Sequence, residues 1–149
     1  MVFELCIRKQ APKPNQMGTY EEKLSILSEM IAFARVDHSM KRSEYEFLLK
    51  VASNLGIDKE TFDGLLKHRS PKITLKSQAE RIVQFHRLLL LMNIDREQHK
   101  SEVNTLYNIG LKMGLPPVAI GQVLEVMHRY PDNVVPPDVL IDIFKAHYN

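Results

Sequence analysis

Several features that usually identify a catalyst, a secreted scaffold or a membrane protein are scarce in this sequence. Its 149 residues include one cysteine and no tryptophan. A lone Cys6 cannot build an internal disulfide, so a reducing compartment is the natural setting. No neighbouring group activates its thiol, which reads as inert. Only six glycines are present, and none forms the Gly-x-Gly pattern that cradles phosphate. Neither sign of charge dominates: 20 Lys and Arg face 18 Asp and Glu, a net charge of +2. That balance makes no case for strong electrostatic binding to nucleic acid or an anionic membrane. The greasiest run, Ile82 to Met92, has 11 residues and is interrupted by Gln84, His86 and Arg87. It is about half the ~20 residues a membrane span requires. The opening Met1 to Ile7 lacks the basic start and long apolar centre of a secretory signal. A cytoplasmic protein with no membrane span is expected.

What is present is an ordinary globular balance, 44% hydrophobic and 26% charged, in a chain long enough to bury a core. Residues 1–18 differ from the rest. Pro12 and Pro14 exclude a helix, and Met17-Gly18 reads like a second start. This segment is an N-terminal extension, either partly ordered by Phe3, Leu5 and Ile7 docking on the domain, or partly disordered or non-native. Residues 19–149 read as a single helical domain. From Thr19 onward apolar residues recur at helical spacing. A first helix opens at Thr19 or Tyr20 with Leu24, Leu27, Met30, Ile31 and Ala34 inside. A second runs from about Lys41 to Leu55, with Gly56 at its left-handed cap. Asp58 caps a short third helix carrying Phe62, Leu65 and Leu66, and Ser70-Pro71 breaks the chain. A fourth helix, Ser77 to Asn93, is apolar nearly all round in its second half, the pattern of the most buried helix. The fifth runs from about Glu97 to Met113 and ends at Gly114. Pro116-Pro117 starts a sixth, with Val118, Val123, Leu124 and Met127 on its face, and Pro136-Pro137-Asp138 starts a last one. The expected fold is all-α, a compact bundle of about seven helices.

A shift of 58 residues lays the second half of the chain on the first without a gap. Asp37 meets Asp95, Ser43 meets Ser101, Glu44 meets Glu102, Leu48 meets Leu106, Gly56 meets Gly114 and Leu66 meets Leu124. Identity alone is thin. The stronger signal is that core positions match in kind: Met30 with Leu88, Val51 with Ile109, Leu55 with Met113, Ile57 with Leu115. Two tandem three-helix repeats are expected, over residues 20–68 and 77–128, with a C-terminal helix at 136–147. Neither repeat can bury its apolar face alone.

The order of these features carries a family resemblance. A hydrophobic helix leads to Asp-x-x-x-x-x-x-Glu, at Asp37 to Glu44 and again at Asp95 to Glu102. A second helix then ends in Leu55-Gly56-Ile57 or Met113-Gly114-Leu115, followed by a short third helix. Over residues 20–147 this resembles the TerB-like tellurite-resistance family, in particular small bacterial proteins of the Bacteroidetes type. Stretches such as Lys23 to Met30 and Gln84 to Leu88 share that character. The resemblance implies a seven-helix bundle and a link to stress-response assemblies. In some members it also implies a divalent metal held by acidic residues.

Asp37, Glu44, Asp95 and Glu102 are therefore the candidate metal ligands. Hard carboxylate oxygens suit calcium or magnesium, provided the two pairs converge. The competing reading is structural. A carboxylate at a helix C-terminus opposes the dipole, but it can accept from nearby N–H groups and lead the chain into the next helix. Glu44, in the first turn of the second helix, is favourably placed with no ion at all. Where the family commonly has Gly after the Asp, this chain has His38 and Arg96. Lys41, Arg42, His99 and Lys100 crowd the same turns and repel a divalent ion. The structural turn is the better reading. The six histidines have no metal-ligand spacing, and His86, on the apolar fourth helix, is expected as a hydrogen-bonded core residue. With no nucleophile and base at recognisable spacing, the expectation is a non-enzymatic module for protein partners, monomeric or weakly dimeric, with no nucleic-acid partner. The alternative is a divalent-metal-binding protein.

Overall fold

Several helix starts in this chain are set by side-chain oxygens that accept from backbone N–H groups left without an intrahelical partner; the α-helices that open on Pro117 and Pro137 begin without one. The computed structural model describes residues 18–36, 39–94 and 100–148. Among them are seven α-helices, two single turns of 3₁₀-helix and no strand. The chain divides into two units, Met1–Thr74 and Leu75–Asn149.

The first unit holds α1 (Tyr20–Ala34), α2 (Arg42–Asn54) and α3 (Lys59–Lys67), each packed against the other two. Thr19 caps α1, its Oγ1 accepting from the Glu22 N–H at 3.2 Å. Asp58 caps α3 by accepting from the Thr61 N–H at 2.7 Å. Leu27, Met30, Leu48, Val51, Ala52 and Phe62 form a fully buried core. After α3 the chain turns back. The Ser70 N–H donates to Ser28 Oγ at 3.1 Å and the Ile73 N–H donates to Ser25 Oγ at 2.8 Å. Residues 68–74 therefore run antiparallel to α1 as a strap pinned by two buried serine hydroxyls.

The second unit holds α4 (Gln78–Met92), α5 (Lys100–Lys112), α6 (Pro117–Val126) and α7 (Pro137–Ala146). Ser77 caps α4 through the Glu80 N–H at 3.1 Å. Consecutive helices pack, and α7 also packs on α4. Between α6 and α7 lie the 3₁₀ turns Met127–Arg129 and Pro131–Asn133. Asp132 and Asn133 take φ of 56° and 58° there, a left-handed pair that Asp and Asn tolerate better than other non-glycine residues. Every residue from Gln84 to Met92 is buried.

The 58-residue offset holds for the helices themselves. Moved by 58, the bounds of α1 fall on those of α4, the bounds of α2 on those of α5, and the start of α3 on the start of α6. The turns match too. Gly56 and Gly114 have φ of 77° and 82°. Around Gly56, the Ile57 N–H donates to the Ala52 carbonyl and the Gly56 N–H to the Ser53 carbonyl. Around Gly114, Leu115 and Gly114 make the same bonds to Gly110 and Leu111. These are Schellman caps, which need a residue content with positive φ. One expectation fails. Val118 is 65% exposed rather than on the inner face of α6. Ala119, Ile120 and Val123 make the buried stripe, and at about 100° per residue Val118 falls outside it.

Candidate functional site

The acidic residues singled out by the repeat divide into two groups. Asp37 and Asp95 lie outside the described residues. Glu44 and Glu102 are in the first turns of α2 and α5, one in each unit, and are only 2% and 3% exposed. Glu44 Oε1 accepts from the Lys41 N–H at 2.8 Å, half of a capping box that satisfies a helix-start donor. A carboxylate there also faces the positive end of the helix dipole. Glu102 holds the equivalent position, and the residue three before it, His99, lies outside the described residues. Among the described residues no three His, Cys, Asp or Glu side chains group closely enough to hold a metal ion.

His86 shows what a buried titratable group does in this fold. It is 1% exposed, and its Nε2 lies 3.1 Å from the Val135 carbonyl oxygen. A carbonyl only accepts, so Nε2 carries the proton and donates. The ring is held neutral: burial lowers its pKa from 6.5 to about 4, the Val135 bond opposes that shift, and the Arg87 charge adds to it. Arg87 is 6% exposed. Its Nη1 donates to Gln84 Oε1 at 3.2 Å, and burial lowers its pKa to about 10 against the opposing pull of Glu80. It stays a cation at neutral pH, buried against an uncharged amide.

A polar cluster on the surface of the first unit joins α2 to α3. Lys59 Nζ sits 2.8 Å from Asp63 Oδ2, and the Tyr45 hydroxyl donates to Asp63 Oδ1 at 3.3 Å. Tyr45 stacks on Phe62 with ring centroids 5.4 Å apart, tilted by 60°. The Asp63 carboxyl is held below its ordinary value, foremost by the Lys59 hydrogen bond. In the second unit the matching positions are Val103, Pro117, Gly121 and Ile120, so this cluster is not part of what both repeats need.

His86 is the hydrogen-bonded core residue expected of it, but its partner Val135, the strap on Ser25 and Ser28 and the burial of Arg87 were not legible in advance. The only sequence signal for the strap is a pair of serines three apart on an otherwise apolar helix face. Comparison of the chain with protein-family models, with curated proteins and with solved structures returns no match.

Proposed function

We propose that this chain is a TerB-like, non-enzymatic interaction module of the bacterial cytoplasm, presenting a rigid helical surface to a protein partner in a stress-response assembly. The observation that carries this reading is where the polar chemistry is used. Thr19, Ser77 and Asp58 cap helices, Glu44 closes a capping box, Ser25 and Ser28 pin the strap, and His86 ties down the segment before α7. These are the polar groups a catalytic site would draw on, and each holds a fold element in place. Affinity capture from native lysate under several stresses tests the reading. A stoichiometric protein partner is expected, and repeated failure to recover one overturns it.

A second reading has one observation in its favour. Glu44 and Glu102 are buried carboxylates at equivalent positions of the two repeats, and carboxylate oxygens are the hard ligands that calcium and magnesium take. Asp37, Glu44, Asp95 and Glu102 would then hold calcium or magnesium. A bound ion stabilises the folded state by mass action, so millimolar calcium, magnesium or manganese would raise Tm, and Asp37→Asn with Asp95→Asn would abolish the rise. An unmoved Tm discards the metal reading.

A further inference from the structure

From Asp63 to Glu80 the chain has no acidic residue, and its cations there are Lys67, Arg69, Lys72 and Lys76. Those four exceed the net charge of the whole chain, +2. Without them the remainder is +2 − 4 = −2. The first three belong to the first unit and are exposed, as is His68. A fourth cation of that unit joins them. Arg35, at the end of α1, donates from Nη1 to the Leu66 carbonyl at 2.9 Å, which sets its guanidinium at the C-terminus of α3 where the strap begins. Among the described residues no carboxylate lies within ion-pair distance of Arg35, Lys67, Arg69 or Lys72. Asp63, the nearest acid in sequence, is hydrogen-bonded by Lys59 and Tyr45 and feels the charge of Lys67 only at longer range.

The fold does not need these charges. At the offset of 58, Arg35, Lys67, Arg69 and Lys72 correspond to Asn93, Glu125, Met127 and Tyr130, and the second unit still forms matching helices and the same glycine caps. Yet the cations stand on a fixed support. The two serine hydroxyls hold Ser70 and Ile73, and Pro71 restricts Ser70 to extended backbone. Ordering the strap is therefore completed on folding rather than on binding, which raises the affinity available to a complementary ligand.

We infer that Arg69 and Lys72 on the strap, with Arg35 and Lys67 where α3 leads into it, form a docking surface for an extended acidic segment of a partner protein. This rests on the interaction-module reading and names its contact surface. Residues 68–74 span at most about 25 Å, the reach of a short extended peptide. Carboxylates two residues apart on such a peptide recur at about 7 Å, which suits a row of long flexible cations. Nucleic acid fits less well. The strap has no Phe, Tyr or Trp on which a base could stack. A membrane surface also fits less well, because Ile73 is half-buried and the small ring of Pro71 is the one exposed apolar side chain of residues 68–74, too little for insertion.

The probe is a fluorescein-labelled oligoglutamate of about ten residues, matched to the strap's reach and followed by anisotropy with the full chain. Arg69→Glu with Lys72→Glu is expected to weaken binding about tenfold or more at low salt, and added salt to weaken the wild-type complex. Lys112→Glu with Lys145→Glu, equally exposed in the second unit, is expected to leave binding unchanged. All four positions are exposed, and matching circular dichroism confirms that the variants fold. Equal weakening by both pairs, no binding at low salt, or tighter binding of an oligothymidylate or of phosphatidylserine vesicles overturns the assignment. Affinity capture with the strap variant separates it from the reading beneath. A stoichiometric partner recovered equally by wild type and variant overturns the strap and leaves the module reading standing. No partner with either protein overturns the module reading, and the strap as a docking site falls with it.

Discussion

Both units must bring the chain back over their first helix after the third, and they solve this with opposite hydrogen-bond polarity at one repeat position. In the first unit Ser28 accepts from the Ser70 N–H. In the second, the residue 58 positions on is His86, which donates to the Val135 carbonyl. The shared demand is a polar side chain on a buried helix face that satisfies a returning backbone group, since such a group left unpaired costs about 1–3 kcal/mol. The residue type is free provided it supplies the missing half of the bond. The core makes a similar trade. Leu27 and Ala52 in the first unit become Phe85 and Gly110 in the second, so added bulk on the first helix is matched by lost bulk on the second.

These contrasts can be broken experimentally, beginning where the effect is largest. His86→Ala removes a buried ring and leaves the Val135 carbonyl unpaired, so about 3 kcal/mol of stability is expected to be lost in urea titrations. Ser28→Ala, which empties less space, should lose about 1 kcal/mol. Equal losses would mean that the buried imidazole contributes nothing beyond the hydrogen bond that both ties supply.

Acid should single out the second unit. The His86 pKa is about 4 in the folded chain and 6.5 ordinarily, so between those values the unfolded chain binds more protons. The stability from its neutral ring is complete above about pH 6.5 and is lost as pH falls through 4, by at most about 3 kcal/mol. His86→Gln keeps a donor but does not titrate, and should flatten that part of the stability profile. A profile identical to wild type would remove His86 as its cause.

Smaller effects test the matched turns. Gly56→Ala and Gly114→Ala each place a methyl in open space at positive φ, so strain alone acts and each should cost about 1–2 kcal/mol. The two values should agree, because the caps do. Gly110→Ala should cost only about 1 kcal/mol. Its new Cβ would stand 2.7 Å from Ile120 Cδ1 and 3.2 Å from Phe85 Cε1, and the overpacking is partly offset by alanine's helix preference. Adding Phe85→Leu, which imitates the first unit, should recover much of the Gly110→Ala loss. A purely additive double variant would show that bulk is not exchanged between these two positions.

The helices were legible because their signals are local. Capping residues precede apolar periodicity, positive-φ glycines follow it, and prolines punctuate the remainder. The repeat was legible for the same reason, being written in caps and core positions rather than in identity. The strap was not, since its bonds join residues 42 and 48 apart in sequence and a serine on a helix gives no sign of a distant partner. Val118 misled because hydrophobicity alone does not say which side of a short helix is covered. At the candidate site, the place of Glu44 in the first turn of its helix could be read from sequence, but its near-complete burial and that of Glu102 could not. Burial is decided by what packs over a helix start.

The strap also joins the two units, and it is held to α1 by two side-chain hydrogen bonds. At about 1 kcal/mol each, releasing both leaves roughly 3% of molecules with the joining segment loose at any moment, far more than are globally unfolded. Arg69 and Lys72 are then open to trypsin. Among the described residues the native chain should accordingly nick first between its halves, at a rate following this local equilibrium rather than the stability of either core.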